Sequence, residues 1–224
     1  MSYFSPAFAS FLKDLDKNNN RDWFNDNKAI YLKEVKEPFE RLVTEMMDRI
    51  KAIEPEIPMT PRKAIFRFHR DIRFSKDKTP YNKHVSAFIC KGNKRGPNLP
   101  GFYFRLSAEG LTTGGGIFDL DKESLRKVRE EIVFSLKEFS DLISRPEFEQ
   151  KFETVQGAKN KIIPAEFKAE VALQPLIANK QFYYMTEMAP DFLLKDNLAD
   201  ILMDHFHASK PLNDFFDRAL YGEE

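Results

Sequence analysis

The chain has 224 residues, 42% of them hydrophobic and 13% aromatic, which is enough to bury a substantial core in one domain or in two closely joined halves. Its 35 basic and 35 acidic side chains cancel, which excludes a bulk charge that would draw the whole molecule onto nucleic acid or an anionic membrane. The single cysteine, Cys90, excludes an intramolecular disulfide and is typical of a reducing compartment.

The first residues do not combine a basic leader with an apolar segment, and no run approaches the ~20 apolar residues that a membrane-spanning helix requires. We therefore expect a cytoplasmic protein without a membrane partner. Phe88 and Ile89 precede Cys90, which favours a buried small residue over a nucleophile at that position.

Helical patterns fill the first quarter of the chain. Apolar residues between Phe8 and Leu15 recur at helical spacing, and the asparagines at 18–20 end that helix and can cap a second one. Pro38 either kinks the second helix or lies in the first turn of a third. The N-terminal part, about 5–53, is therefore predicted to be helical.

The stretch from Ile65 to Tyr81 is both apolar and cationic. Read with a period of two, its first ten residues predict a strand with an apolar face and a charged face. The apolar set is Phe66, Phe68, Ile72 and Phe74, and the polar set is Arg67, His69, Asp71 and Arg73. A turn-forming loop follows, and then a second run of strand composition, so we expect a hairpin over about 65–90. A helical spacing also fits this stretch, although its aromatic content and flanking prolines favour a strand.

A second hairpin is predicted over about 102–118, where two β-type runs flank a Glu-Gly turn. Three glycines, Gly114 to Gly116, interrupt the returning strand and indicate a bulge or the close approach of another backbone. The run from Asn179 to Met188 alternates well enough for a further strand, although a helical turn fits it too.

Helical spacing returns in the C-terminal half. An apolar stripe from Leu125 to Ile143 predicts a long helix, and Pro146 starts a short one. A closing helix begins near Leu198, and a last helix restarts at Pro211.

Strands in the middle of the chain with helices at both ends predict one α+β domain with a central antiparallel sheet. Its helical N-terminal part covers about 5–53, its sheet about 62–118 and its helical C-terminal part about 121–221.

Several short motifs carry a resemblance to a known family. FLKDL, NNNRDWF, FRFHRDIRFSKDKTPY, GFYFRL and TTGGGIF together resemble domain of unknown function 2461, DUF2461, an uncharacterised family. The resemblance implies a single mixed helical and antiparallel domain in a cytoplasmic protein. It implies no reaction, cofactor or catalytic residue.

The charge of the chain is unevenly distributed. Residues 62–95 contain eleven Lys or Arg against only Asp71 and Asp77, a local charge of +9. This excess predicts a positive surface patch. The alternative is that these cations are solvated or paired with acids from elsewhere in the chain.

The polar face of the predicted 65–74 strand is a candidate anion site. Arg67 and Arg73 can hold a phosphate or carboxylate through bidentate hydrogen bonds, and Asp71 can orient His69 as a proton carrier. His69 and Asp71 are therefore the candidate catalytic pair. The alternative is a cross-strand ladder of ion pairs with no ligand.

Two further segments can complete such a site. Lys76 and Lys78 can close over the ligand from the loop, and the backbone N–H groups near Gly114 and Gly115 can approach an anion closely.

Metal and nucleotide signatures are weak. His205 and His207 lie two apart on a predicted helix and point in different directions, and a site combining His69 and Asp71 with His84 is a remote alternative. The glycine run is neither a phosphate-binding P-loop nor a dinucleotide turn. We therefore predict no metal site and leave the cofactor unassigned.

Three functions fit these patterns. The first is binding of a small anionic, phosphate- or carboxylate-bearing ligand, with hydrolysis or transfer as the reaction. The second is docking of the patch from Arg62 to Arg95, with Tyr81, Phe102 and Tyr103 nearby, on nucleic acid or an acidic protein. The third is a structural or assembly role without catalysis. The sequence does not indicate the oligomeric state.

Overall fold

The sheet at the centre of the protein has four antiparallel strands in the order β1-β2-β3-β4. The computed structural model describes residues 2–222. The strands are β1 (His84–Cys90), β2 (Gly101–Ser107), β3 (Gly110–Ile117) and β4 (Phe182–Met188). The α+β class, the hairpin predicted over 102–118 and the strand predicted within 179–188 are therefore confirmed.

The N-terminal helices form as the capping signals predict. They are α1 (Pro6–Lys17), α2 (Arg21–Asp26), α3 (Lys28–Ile30), α4 (Glu37–Ile53) and α5 (Pro61–Ala64), with a π-helical turn over Tyr31–Lys36. Asn20 caps α2 by accepting the Trp23 N–H at 3.0 Å. The π turn precedes Pro38, which lacks an N–H and whose ring crowds the preceding helical turn.

The C-terminal helices are α6 (Lys122–Phe134), α7 (Leu136–Ile143), α8 (Pro146–Phe152), α9 (Glu170–Leu173) and α10 (Leu198–Tyr221). Short 3₁₀ turns lie at Ala165–Phe167, Pro175–Ala178 and Pro190–Leu194. None of the helices within residues 2–222 combines the length and apolar content that crossing a bilayer requires.

Two predicted helix boundaries are wrong. The stripe from Leu125 to Ile143 is interrupted at Ser135, which separates α6 from α7. In contrast, α10 continues through Pro211, where the sequence predicts a restart. The helix continues because its residues on both sides of Pro211 are buried, so packing offsets the one backbone hydrogen bond that proline removes.

The core lies on one face of the sheet. In its first part, Phe104 of β2 packs on Phe39 of α4 with ring centroids 5.9 Å apart, and Phe102 packs on Phe206 of α10 at 5.8 Å. In its second part, Tyr184 of β4 contacts aromatic rings of α8 at 4.8 and 5.0 Å. Helices α4, α8 and α10 therefore cover this inner face.

The hairpin predicted over 65–90 is formed only in its second strand. Residues 65–74 contribute isolated bridges, Ile65 to Ala87 and His69 to Tyr81, and otherwise follow an irregular path. The apolar residues of this stretch do not share a buried face: Phe68 is 8% exposed, whereas Phe66 is 41% and Phe74 is 95% exposed. Phe68 packs instead against Tyr31 of the N-terminal helical part, with ring centroids 4.6 Å apart. This aromatic contact replaces the predicted strand pairing.

The opposite face of the sheet carries more polar side chains, of which Ser86 and Thr112 are buried. By strand register, two rows of residues point to this side: Ser86, Arg105, Thr112 and Glu187 in one row, and Phe88, Tyr103, Gly114 and Met185 in the other. We call these two rows, with Tyr183 beside them, the open face. Tyr103, Tyr183 and Met185 belong to neither apolar core cluster among the described residues. The sheet therefore separates a packed inner face from a more polar open face.

Candidate functional site

Asp71 and Arg73 are bound to each other rather than to a shared ligand site. Arg73 donates from Nε to Oδ1 of Asp71 at 2.9 Å and from Nη2 to Oδ2 at 2.6 Å. These hydrogen bonds lower the pKa of the Asp71 carboxyl and raise that of Arg73. Both side chains are well exposed, at 60% and 76%. The structure thus contains one local ion pair where the sequence predicts a row of separate groups.

His69 and Asp71 share no hydrogen bond in the described part of the chain. The His69 ring centroid is 5.0 Å from that of Tyr81 and 6.3 Å from that of Phe24, so its ring contacts are with Tyr81 and with Phe24 of α2. The Asp71 oxygens are occupied by Arg73. The predicted orientation of the His69 imidazole by Asp71 is not formed.

Arg70 closes the loop that follows. Its Nη1 donates to Oδ2 of Asp77 at 2.6 Å and to the carbonyl of Thr79 at 3.1 Å. The hydrogen bond from the Thr79 N–H has the largest effect on Asp77, and that from Arg70 the next largest. Together they lower the pKa of the Asp77 carboxyl to about 2. Lys78 is also hydrogen-bonded within this loop, since its Nζ donates to the carbonyl of Ile72 at 2.9 Å. Lys76 is exposed and has no carboxylate partner among residues 2–222. The loop is therefore held by its own polar groups.

Gly114 and Gly115 lie where the neighbouring strand leaves no room for a side chain. A Cβ at Gly114 would lie 2.1 Å from the carbonyl oxygen of Tyr184, and one at Gly115 would lie 2.8 Å from the Tyr184 hydroxyl. The close backbone approach that the glycine run predicts is thus confirmed. These residues pair with β2 and β4, and both β1 and β2 lie between them and the 65–81 stretch. The structure does not bring them together with Arg67 or Lys76.

The charge excess of residues 62–95 is only partly neutralised. Four of the eleven cations have a carboxylate within 4 Å, namely Arg70, Arg73, Lys83 and Lys91. The other seven have none among residues 2–222, and they are Arg62, Lys63, Arg67, Lys76, Lys78, Lys94 and Arg95. The ion-pair alternative therefore accounts for a minority of these cations.

Arg67 and Arg95 form the most structured part of this excess, and we call them the guanidinium pair. The Arg95 guanidinium lies 3.9 Å from the ring centroid of Phe66, and its Nη1 donates to the carbonyl of Ala64 at 2.7 Å. Burial lowers the pKa of Arg95, and the positive charge of Arg67 lowers it further. Arg67 itself is exposed. Since Arg67 follows Phe66 in the chain and Arg95 packs on the Phe66 ring, two like charges are close to each other here.

The guanidinium pair lies at the rim of the open face. The Phe66 ring meets the Tyr103 ring edge-on at 6.1 Å, and the Phe66 N–H donates to the carbonyl of Ser86 at 2.9 Å. Beyond Tyr103, Arg105 donates from Nη2 to the Thr112 hydroxyl at 2.9 Å. A third guanidinium thus stands on the same face of the sheet.

Arg105 is incompletely neutralised by its neighbours. Its Nη2 is 3.5 Å from Oε1 of Glu187, whose side chain is 78% exposed. Its Nε is buried and has no hydrogen-bond partner in the described part of the chain. Burial, and then the charge of Arg105, lower the pKa of His84. An anion near Arg105 would meet donors on a partly desolvated surface.

A family model described as a conserved hypothetical protein, DUF2461, matches residues 7–215. The chain belongs to this family. The match covers the cationic stretch, the whole sheet and most of α10, so both faces of the sheet are parts of the DUF2461 domain. Comparison with curated proteins and with solved structures found no match.

A second charged cluster of this DUF2461 domain lines a small cavity on the packed side. Lys91, just after β1, is 2.7 Å from Asp217, 3.5 Å from Asp214 and 3.6 Å from Glu54. Lys210 is 2.9 Å from Glu54 and 2.6 Å from Asp214. Each cation therefore has its carboxylates, and the cluster joins α4, the end of β1 and α10.

The sequence shows neither the charged cluster around Lys91 and Lys210 nor the guanidinium pair. Glu54 and Lys210 are far apart in the chain, so no local spacing indicates their contact. The alternation of Tyr103, Arg105 and Ser107 does predict that one side of β2 is polar, which is the available signal for the open face. Within residues 2–222, no group of three or more His, Cys, Asp or Glu is placed to hold a metal ion.

Proposed function

We propose that this DUF2461 protein binds an anionic ligand through a phosphate or carboxylate group, and that Arg67 and Arg95 hold that group at the rim of the open face. The observation that carries this proposal is that Arg95, packed on the Phe66 ring, and Arg67, next to Phe66 in the chain, have no carboxylate within 4 Å among residues 2–222. Guanidinium groups bind phosphate and carboxylate oxygens in planar, bidentate geometry, which favours such ligands over other anions.

The two arginines differ in how they are held. Arg95 is oriented by the Phe66 ring and by the carbonyl of Ala64, so binding costs it little conformational entropy. Arg67 is exposed and free to adjust to the ligand. An anion placed between them relieves the repulsion of two like charges, which adds to the hydrogen-bond energy.

Binding, rather than a particular reaction, is what this geometry supports. His69 and Asp71 do not share a hydrogen bond, and Asp71 neutralises Arg73. Hydrolysis or transfer by these two residues stays a prediction. Lys76 has no carboxylate partner in the described residues and can add a second, mobile positive charge to the ligand site.

Thermal unfolding in a panel of phosphate, pyrophosphate, sulfate and citrate, at constant ionic strength set with chloride, tests the proposal. A ligand at 100 times its dissociation constant stabilises the folded state by about 2.7 kcal/mol, which is a readily measured rise in melting temperature. We expect Arg67→Ala to abolish this rise.

Arg126→Ala is the matched control, since Arg126 is an exposed arginine on α6 whose charge is already paired with Glu130. It should retain most of the rise in melting temperature. A panel that leaves the wild-type melting temperature unchanged would overturn the proposal, as would equal losses in the two variants.

A further inference from the structure

Aromatic rings accompany the cations on the open face. Phe118, the residue after β3, is 64% exposed and lies with its ring centroid 5.2 Å from that of Tyr183. At the other side of the sheet, Phe66 is 41% exposed and meets Tyr103 at 6.1 Å. Rings are thus accessible at both margins of the same face.

We infer that the anionic ligand of this face is single-stranded nucleic acid, with its phosphates on the guanidinium pair and Arg105 and its bases on the aromatic rings. This inference rests on the proposed function, because the same arginines supply the anion contacts. Four-stranded sheets whose aromatic side chains stack two or three bases are an established way to bind RNA. Stacking on rings beside a positive groove also suits single strands of any sequence.

The dimensions of the face fit a short segment of such a strand. Neighbouring strands of a sheet lie about 4.8 Å apart, so the distance from Phe66, beside β1, to β4 is roughly 19 Å. Gly114 lies between Tyr103 and Met185 in its row, and the Met185 sulfur covers it, 2.5 Å from where a Cβ at Gly114 would lie. The positions at which a base can stack are therefore the exposed rings at the two margins, Phe66 and Phe118.

The charges favour one orientation of the nucleic-acid strand across the open face. Arg67 and Arg95 lie beside Phe66 at the β1 side, Arg105 follows on β2, and Glu187 lies on β4. A phosphate chain is attracted most strongly to Arg67 and Arg95, because the Glu187 carboxylate, 3.5 Å from Arg105, partly cancels the attraction of that guanidinium. The backbone should therefore follow the β1 and β2 side, with the bases directed toward Tyr183 and Phe118.

A duplex fits this surface less well than a single strand. Its bases are already stacked on one another, so the exposed rings of the open face have no base plane to contact. A duplex can use only the phosphate contacts, which carry no stacking contribution. Preference for single strands over duplex of the same sequence is therefore part of the inference.

Fluorescence anisotropy with a labelled 12-nucleotide oligouridylate measures binding, and polyphosphate of the same number of charges serves as the competitor without bases. We expect the oligonucleotide to bind more tightly than the polyphosphate. Loss of one stacking ring weakens single-strand binding by about fivefold to a hundredfold, so Phe118→Ala should show a loss in that range. Tyr103→Leu, which keeps an apolar side chain, provides a second variant.

Phe134→Ala is the matched control, since Phe134 is 89% exposed at the end of α6 and belongs to neither core cluster. It should leave oligonucleotide binding unchanged, and Phe118→Ala should leave polyphosphate binding unchanged. Arg67→Ala should weaken both ligands and reduce the salt dependence of oligonucleotide binding by about 0.7 in the log–log slope.

The outcomes separate this inference from the proposed function. Equal affinity for oligonucleotide and polyphosphate, with no difference between Phe118→Ala and Phe134→Ala, would overturn the nucleic-acid inference and leave the anion site standing. Duplex binding as tight as single-strand binding would also overturn it. Absence of binding by phosphate, polyphosphate and oligonucleotide alike would overturn both.

Discussion

Asp71 and Arg73 are joined by two hydrogen bonds, Nε to Oδ1 at 2.9 Å and Nη2 to Oδ2 at 2.6 Å. The carboxylate that the sequence assigns to His69 thereby neutralises a cation two residues away. This pairing decides which arginines of the segment remain for a ligand, and it makes Asp71 an internal competitor for any anion.

Asp71→Asn should strengthen anion binding. The substitution keeps the shape of the side chain but removes a negative charge, so Arg73 becomes available and the repulsion of an incoming anion falls. We expect the dissociation constant for pyrophosphate, measured by isothermal titration calorimetry, to fall severalfold.

The control for this variant is Asp141→Asn on α7, which removes an exposed carboxylate paired with Lys137 at helical spacing. It should not change pyrophosphate affinity. Unchanged or weaker binding by Asp71→Asn would show that the Asp71 carboxylate does not oppose the ligand.

Lys91→Met should destabilise the protein at neutral pH. Burial opposes the charge of Lys91, but its hydrogen bond to Asp217 and the nearby carboxylates raise its pKa overall. Removing this cation leaves the Asp217 carboxylate, which is only 16% exposed, without its partner. We expect a loss of about 2 kcal/mol in the free energy of unfolding, below the 3–5 kcal/mol of a fully buried pair because Lys91 is 35% exposed.

The same cluster predicts a pH dependence. Since the folded pKa of Lys91 lies above the unfolded value of about 10.4, its contribution is fully present below that pH and is lost as the pH rises beyond it. Urea unfolding at pH 7 and pH 11 should therefore show a smaller difference between Lys91→Met and wild type at pH 11. Lys137→Met, at an exposed pair on α7, should differ from wild type by less than about 0.5 kcal/mol at either pH.

Gly115→Ala should destabilise the sheet. The new Cβ would lie 2.3 Å from the carbonyl oxygen of Gly101 and 2.8 Å from the hydroxyl of Tyr184. That hydroxyl donates to Oδ1 of Asn213 in α10 at 2.8 Å, so moving it also disturbs the packing of α10. We expect a loss of about 2–4 kcal/mol in urea unfolding.

Gly96→Ala is its control, because the nearest atom to the new Cβ would be Cδ1 of Leu99 at 3.7 Å. It should change stability by less than about 0.5 kcal/mol. Normal stability of Gly115→Ala, combined with loss of anion binding, would instead favour the ligand role that the glycine run suggests.

The elements that the sequence predicts well are those whose partners are close in the chain. The hairpin over 102–118 depends on a two-residue turn and on alternation within each strand, both of which are local. The helix at Asn20 is marked by its capping side chain. By contrast, α10 continues through Pro211 because distant residues bury both of its halves.

The cationic stretch shows where local pattern fails. Alternation predicts a strand only if a neighbouring strand is present to satisfy its backbone, and here Phe68 is drawn into the aromatic cluster with Tyr31 and Tyr81. Alternation also does not predict which charges of this stretch form ion pairs. Arg73 finds a carboxylate two residues away, whereas Lys83 is paired with Asp16, on α1.

By itself, the sequence determined the α+β class, the hairpin over 102–118, the positive excess of residues 62–95 and the resemblance to DUF2461. Those properties depend on composition and on periodicity over a few residues, which hydrophobic burial enforces locally. Only the tertiary structure decided which cations are neutralised, where Phe66 and Tyr103 meet, and which face of the sheet the helices cover. Ion pairs and ring contacts act over a few ångströms between residues that are distant in the chain, so folding has to bring them together before they exist.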